Sequence, residues 1–315
     1  MAVVCGVDVS KDTLDAVVLD GQNKSHWQFG NDEVGFEQLR RWAIGKGAES
    51  FAMEATGPYH KALLRSLQDA GLKAACLNPL RARQLALGLG VLDKDDKLDA
   101  LMLAKAVAMS APAAQVQRTS AHEQALDLSR RIEQVKLSLA KERTRLKEPR
   151  RCGNVEESLR RSIAFLCDEI ELLEAQWLEF IRADQELFHT YRLMLSVPNI
   201  GPKTARVLVS ELPARSELGS TRKATGLSGL APKRRRSGTS LNTADRITKS
   251  CNPRVKKALY MPAIQALRRS PDLREFYIRL VSNGKHPKQA IAAVMRKIFV
   301  RVLAVLNRGT EWVTT

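Results

Sequence analysis

The sequence predicts an α/β domain at the front of the chain, followed by helices to its end. Two observations carry that expectation. Short β-branched runs alternate with helix-like stretches over the first 109 residues, and a long a/d stripe then occupies the middle. Residues 2–9 and 14–20 read as strands separated by the turn SKDT, and SHWQFGN at 25–31 reads as a third. GFEQLRRWAIGKG is helical in pattern, SFAMEATG is a fourth strand, and PYHKALLRSLQDAG is a helix with Pro58 near its start and Gly71 at its end. LKAACLNP at 72–79 is a fifth strand, and helical sequence follows to about residue 109. Three early strands and then alternating helix and strand describe an RNase H-like α/β domain.

Four carboxylates stand out against this pattern. Asp8 and Glu54 each end or interrupt an apolar strand, while Asp96 and Asp99 are three apart in a helical stretch and so share a face. An acid inside SFAMEA is costly to bury without a purpose. Acids gathered from strand ends and one helix repel each other, and divalent cations relieve that repulsion. Mg²⁺, with Mn²⁺ as an alternative, suits an all-oxygen site, and two such ions can clamp a phosphodiester. Singly, Asp8 reads better as a turn residue and Asp96 and Asp99 as solvated helix residues, a reading Glu54 resists; together the four point to metal-dependent chemistry on nucleic acid.

The chain has 315 residues, of which 44% are hydrophobic, enough for two or three domains. Its formal charge of +17 is concentrated at the back: residues 196–315 hold 24 Lys+Arg against 6 Asp+Glu. Such a local excess fits a polyanion partner. The five cysteines include no CxxC pair, which suggests free thiols in a reducing compartment. The five histidines are scattered, so single structural or surface roles are expected of them. No signal-peptide pattern and no membrane-length apolar run is present, so the cytoplasm is expected and no membrane is implied.

Leu128, Ile132, Val135, Leu139 and Leu146 keep a four-three step, broken at Pro149 and Gly153. The step resumes through Leu159, Ile163, Leu166, Ile170, Leu173, Trp177 and Phe180. This is a coiled-coil signature, satisfied equally by an intrachain hairpin or by pairing with a second subunit. Beyond it, VPNIGPKTA is similar to a helix-hairpin-helix element, whose Gly-Pro turn presents backbone N–H groups to a phosphate beside Lys203. A basic tract follows, including Arg234, Arg235, Arg236, Arg246, Lys249, Arg254, Lys256 and Lys257. Few aromatics interleave with it, which favours phosphate contact over base stacking. The expected domains are 1–115, 116–190 and 191–315.

Six strings in order, GVDVSK, EATGPY, KDDKLDA, SVPNIGPKTA, GLAPKRRRSG and NPRVKKALYM, resemble the DEDD-type transposases of bacterial insertion sequences. That group includes the pilin-inversion recombinase and the bridge-RNA-guided recombinases, and the likeness runs from about residue 3 to 305. The resemblance implies a RuvC-like domain bearing Asp8, Glu54, Asp96 and Asp99, a coiled coil, and a mostly helical C-terminal transposase domain. It implies a nucleophilic serine at Ser237, in APKRRRSGTS, with Ser240 as the fallback. It also implies double-stranded DNA substrates, a homo-oligomer (a dimer, or a tetramer at synapsis) and, in some members, a structured guide RNA. Two departures are small: Asp95 stands where Thr is common, adding a fifth carboxylate, and Cys251 stands where Gly often precedes NPR. Three classes remain open: a recombinase, a RuvC-like endonuclease acting by hydrolysis, and a non-enzymatic nucleic-acid-binding protein.

Overall fold

The computed structural model describes residues 2–55, 57, 59–77, 79–89, 95–110, 119–149, 152–213, 218–237, 241–247 and 251–313, with backbone only at 80, 81, 110, 232–237 and 241–247. The chain divides into two compact units, Met1–Gln117 and Arg118–Thr315.

The first unit is built on a five-stranded sheet: β1 (Val4–Val9), β2 (Thr13–Asp20), β3 (Asn23–Gly30), β4 (Ser50–Glu54) and β5 (Lys73–Leu77), in the order β3-β2-β1-β4-β5. β1, β2 and β3 form an antiparallel meander, while β4 and β5 run parallel to β1. The first turn closes through Ser10, whose Oγ lies 2.7 Å from Thr13 Oγ1 and whose N–H donates to Thr13 O at 3.0 Å. The parallel strands need crossovers, supplied by α1 (Glu33–Gly45) and α2 (His60–Asp69). Asp32 caps α1, its carboxylate accepting from Gly35 N–H.

Strand alternation gives the sheet two buried faces. Cys5, Val7, Val9, Leu14, Ala16, Phe51 and Met53 pack with Phe36, Leu39, Leu63 and Leu67 of α1 and α2. Val4, Val17, Leu19 and Ala52 pack instead with α3 (Pro79–Gly88) and α4 (Asp96–Ser110). Gly6 and Asp8 belong to this second face by the period of two. Gly6 explains how close α4 lies: a Cβ there would sit 2.1 Å from the Ala100 carbonyl oxygen and 2.4 Å from the Ala104 nitrogen. Only a residue with no side chain admits the helix backbone at that distance.

In the second unit, α5 (Ser120–Leu146) and α6 (Gly153–Ala183) pair as an intrachain helical hairpin. Ile132, Val135 and Leu139 pack with Ile170, Leu173 and Trp177, so the a/d stripe has its partner within the chain. Trp177 Nε1 donates to Ala125 O at 3.1 Å, and Lys136 Nζ lies 2.6 Å from Glu174 Oε1. The same core continues through α7 (Gln185–Ser196), α8 (Pro202–Glu211), α9 (Thr221–Leu227), α10 (Pro253–Arg269), α11 (Pro271–Ser282) and α12 (Pro287–Arg308). A two-stranded antiparallel hairpin, β6 (Pro232–Ser237) and β7 (Leu241–Ile247), interrupts the helices where the sequence pattern suggested only turns. Its basic residues lack the apolar alternation that announces a strand.

Gly6→Ala is expected to destabilise the protein by about 1–3 kcal/mol, because the added methyl overpacks the β1–α4 contact. Gly45→Ala, where a Cβ would meet nothing within 4 Å, is the control. Equal urea midpoints for the two variants would show that the contact yields without cost.

Candidate active site

Asp8 lies near the end of β1, Glu54 is the last residue of β4, and Asp96 and Asp99 fall in the first turn of α4. β1 and β4 are parallel neighbours, so Asp8 and Glu54 emerge at the same edge of the sheet. The Gly6 contact brings α4 against that edge. The other three acids act on Asp8: its carboxyl is pushed up to about 6 by burial first, then by the charges of Asp96, Asp99 and Glu54, against a backbone hydrogen bond from Val9. Burial, and after it the Glu54 charge, also raises Cys76. Asp95 is exposed and gives its carbonyl to Asp99 N–H at 2.8 Å.

Beside the acids is a cavity of about 310 Å³, lined by Glu54, Pro79, Ala82, Arg83, Asp99 and Met102 among others. Arg83, on α3, is a cation that the sequence pattern did not single out. A guanidinium between two carboxylates can steady them, and it can engage a phosphate entering the cleft. A fifth acid on this face was also missed. Asp15 stands opposite Asp8 in the β1–β2 register and is buried; its Oδ1 lies 2.9 Å from His26 Nε2, and its Oδ2 accepts from Gln28 Nε2 at 3.0 Å. Only the strand register reveals it.

Among the described residues, no group of three or more His, Cys, Asp or Glu side chains is arranged to hold a metal ion by itself. The donor set nonetheless fits a hard divalent cation. It is all oxygen, and Asp8 feels the charges of Asp96, Asp99 and Glu54; such ions keep several waters and take one or two carboxylates plus substrate oxygens.

The second unit holds the remaining candidates. The turn between α7 and α8 has Asn199 in the left-handed region, φ 71°, with its side-chain amide donating to Ser270 Oγ at 2.8 Å. Gly201 caps α8 with no side-chain bond, leaving the first-turn N–H groups open, and Lys203 is exposed beside them. Arg234, Arg235 and Arg236 lie on β6 and Arg246 on β7. The register shifts between Lys233 and Arg235, and Ser237 ends β6 opposite Leu241. Ser240 and Lys249 lie outside the described residues.

Lys257 is exposed, Lys256 is half-buried, and Arg254 is drawn toward Glu211, Nε to Oε1 3.6 Å. Glu211 itself is buried. It accepts from Arg130 at 2.9 and 3.2 Å and from Asn252 Nδ2 at 2.8 Å. Burial alone would raise its carboxyl, but these bonds and the charges of Arg130 and Arg254 hold it below the ordinary value. Asn252 also caps α10, accepting from the N–H groups of Arg254 and Val255. The NPR motif thus ties the start of α10 to α5 and α8.

Comparison with known proteins fits this arrangement. Residues 5–151 match the DEDD transposase model of IS110 elements, and residues 191–278 match the transposase family IS116/IS110/IS902. Pilin gene-inverting proteins of Moraxella bovis and Moraxella lacunata are each 30% identical over 309 residues, covering 96% of this chain and 95% of theirs. An uncharacterised 43.6 kDa protein of insertion element IS110 from Streptomyces coelicolor is 28% identical over 153 residues, 49% of this chain and 36% of that protein. A solved Thermus thermophilus RuvC in complex with a Holliday junction substrate aligns at a TM-score of 0.28 and 15% identity, covering 35% of this chain and 95% of that one, and adds no weight. The class is a DEDD-type transposase: an α/β domain carrying paired acids, joined to a helical domain. The chain belongs to the IS110 family of insertion-sequence transposases and recombinases. Among the described residues, no helix is long and apolar enough to cross a membrane.

The raised Asp8 carboxyl has a consequence for stability. With its value moved from 3.8 to about 6, the ionised form is disfavoured in the folded protein. Its stabilising contribution is therefore full below about pH 4 and is lost as pH rises through about 6. Asp8→Asn, free of divalent cations, is expected to melt above the parent at about pH 8 and level with it at about pH 4. A parent that melts higher at the alkaline end would mean the Asp8 charge is disfavoured neither by burial nor by its neighbours.

Proposed function

We propose that the protein cuts and rejoins double-stranded DNA at the ends and target of a mobile element through a serine-phosphate intermediate, with Asp8, Glu54, Asp96 and Asp99 holding Mg²⁺. The observation that carries this reading is a buried Asp8 carboxyl within reach of the charges of Asp96, Asp99 and Glu54 at one sheet edge, in a chain whose relatives include inverters of pilin genes. When bound, the cation supplies charge to polarise the phosphate and to stabilise the leaving oxygen. Arg83 contributes a fixed positive charge at the same cleft.

The Ser237 hydroxyl attacks phosphorus, forming the serine O–P bond as the strand's P–O bond breaks. Its proton leaves with solvent, and the released strand oxygen takes one up. Attack by a strand hydroxyl reverses the exchange, so the phosphodiester is remade without an outside energy source. Water attack would lose that bond, which is why rejoining needs a nucleophile from the protein. Arg234, Arg235 and Arg236 precede the serine on β6 and offset phosphate charge. Lys203, Arg246, Lys249, Arg254, Lys256 and Lys257 extend the basic surface for the duplex.

The protein works as a homo-oligomer, an assignment supported by exposed Phe165 and Leu172, a heptad apart on α6. Its element's structured RNA, as in guided members of the group, selects the target. A discrete RNA that co-purifies with the protein would support that guidance, and heterogeneous host RNA would end it.

Ser237→Ala is expected to bind DNA at the parent's affinity while yielding no covalent protein–DNA adduct in denaturing gels; Asp8→Asn is expected to lose cleavage by at least about 10²-fold. Adducts that persist in Ser237→Ala would exclude it as the nucleophile, and cleavage without any adduct in the parent would favour hydrolysis.

A further inference from the structure

Within the second unit, α11 and α12 build a basic groove from residues other than those of the Gly-Pro turn and the hairpin. Residues 271–308 carry eight Lys+Arg against two Asp+Glu. One of those acids, Asp272, is already engaged by Arg301. The inner side of α12 is sealed in the core by Val294, Ile298, Phe299 and Val302. Its outer side, with Phe276 of α11, lines a cavity of about 460 Å³ together with Ala293, Arg296, Lys297, Val300 and Arg301.

Four of the cations here, Arg279, Lys297, Arg301 and Arg308, lie over aromatic rings, and Arg301 is paired with Asp272 as well. Lys297 Nζ sits 4.3 Å from the centre of the Phe276 ring, and the Arg279 guanidinium 5.6 Å from the same ring. Arg301 and Arg308 lie 5.4 and 5.9 Å from the Trp312 ring. Trp312 is itself docked: its backbone N–H donates to Ser196 Oγ at 2.8 Å, and the adjoining Glu311 pairs with Arg192 at 2.9 Å. Among the described residues, Arg279, Arg296, Lys297 and Arg308 make no ion pair with a carboxylate. A cation over a ring is steadied while its outward N–H groups stay free. Ordering the side chains beforehand reduces the entropy lost on binding. Charge repeated along one helix face, with apolar Phe276, Ala293 and Val300 between, complements a chain of phosphates linked by sugars.

We propose that this groove seats the phosphodiester backbone of a nucleic acid, as a contact separate from the Lys203 turn and the β6–β7 hairpin. The proposal rests on the reading that the protein works on DNA, and it adds a second anchoring point to it. The test uses the full chain with a duplex DNA and, separately, a structured RNA hairpin, titrated across salt concentration. Arg296 and Lys297 are exposed, so R296A/K297A keeps the fold.

That double variant is expected to flatten the slope of log affinity against log salt by about 2 on duplex DNA if DNA is the occupant. If RNA is the occupant, the slope falls on the hairpin alone, by a similar or slightly smaller amount. R160A/R161A removes two exposed α6 arginines paired with Glu156 and Glu157, and is expected to leave both slopes unchanged. A parent that binds nucleic acid, with R296A/K297A giving the same slopes on both polymers, overturns the groove but not the proposed function. A parent that binds neither polymer overturns both.

Discussion

The contact between Gly6 and the backbone of α4 is the constraint on which the placement of the four acids depends. A side chain at that point would collide with the Ala100 carbonyl and the Ala104 nitrogen. Without one, the helix lies flat against the central strand, and its first turn is held where Asp8 and Glu54 leave the sheet. Small residues on the helix side and none on the strand side set this separation. The apolar remainder of α4, from Leu101 to Val107, seals that face of the sheet and commits the helix to this position. The acids also sit at the helix N-terminus, where the peptide dipoles partly offset their charge. Asp8, on β1, still feels both of their charges, after the larger effect of its own burial.

Much of this was legible in the sequence, for a physical reason. An acid that breaks a β-branched run is conspicuous, and two acids at helical spacing share a face, so Asp8, Glu54, Asp96 and Asp99 could be named before any fold was known. The strand–helix order of the first unit followed from the same periodicities. Gly6 looked like an ordinary glycine in a strand, because its role lies in a backbone 94 residues or more along the chain. Asp15 needed the β1–β2 register to be seen opposite Asp8, and Arg83 needed the packing of α3 beside the cleft. The β6–β7 hairpin left no apolar alternation to read. The rings against Lys297, Arg301 and Arg308 belong to Phe276 of α11 and Trp312 beyond α12, and only the packing of those segments brings them together.

The two halves of the a/d stripe illustrate what pattern alone leaves undecided. A seven-residue repeat specifies that a helix needs an apolar partner and says nothing of which chain supplies it. The Trp177–Ala125 hydrogen bond and the Lys136–Glu174 pair show the partner to be the same chain. Phe165 and Leu172 lie outside that pairing and remain exposed.

The buried Glu211 joins three things that are distant in sequence: Arg130 on the long helix α5, its own place at the end of α8, and Asn252 at the mouth of α10. A carboxylate with its bonds so divided tolerates little slack, since losing any one partner strands a charge out of water. The helical rod, the end of α8 and the start of α10 are therefore geared together through one carboxylate. A tilt of the rod is passed to α8 and α10, and whatever grips the far tip of the α5–α6 pair gains mechanical leverage over both.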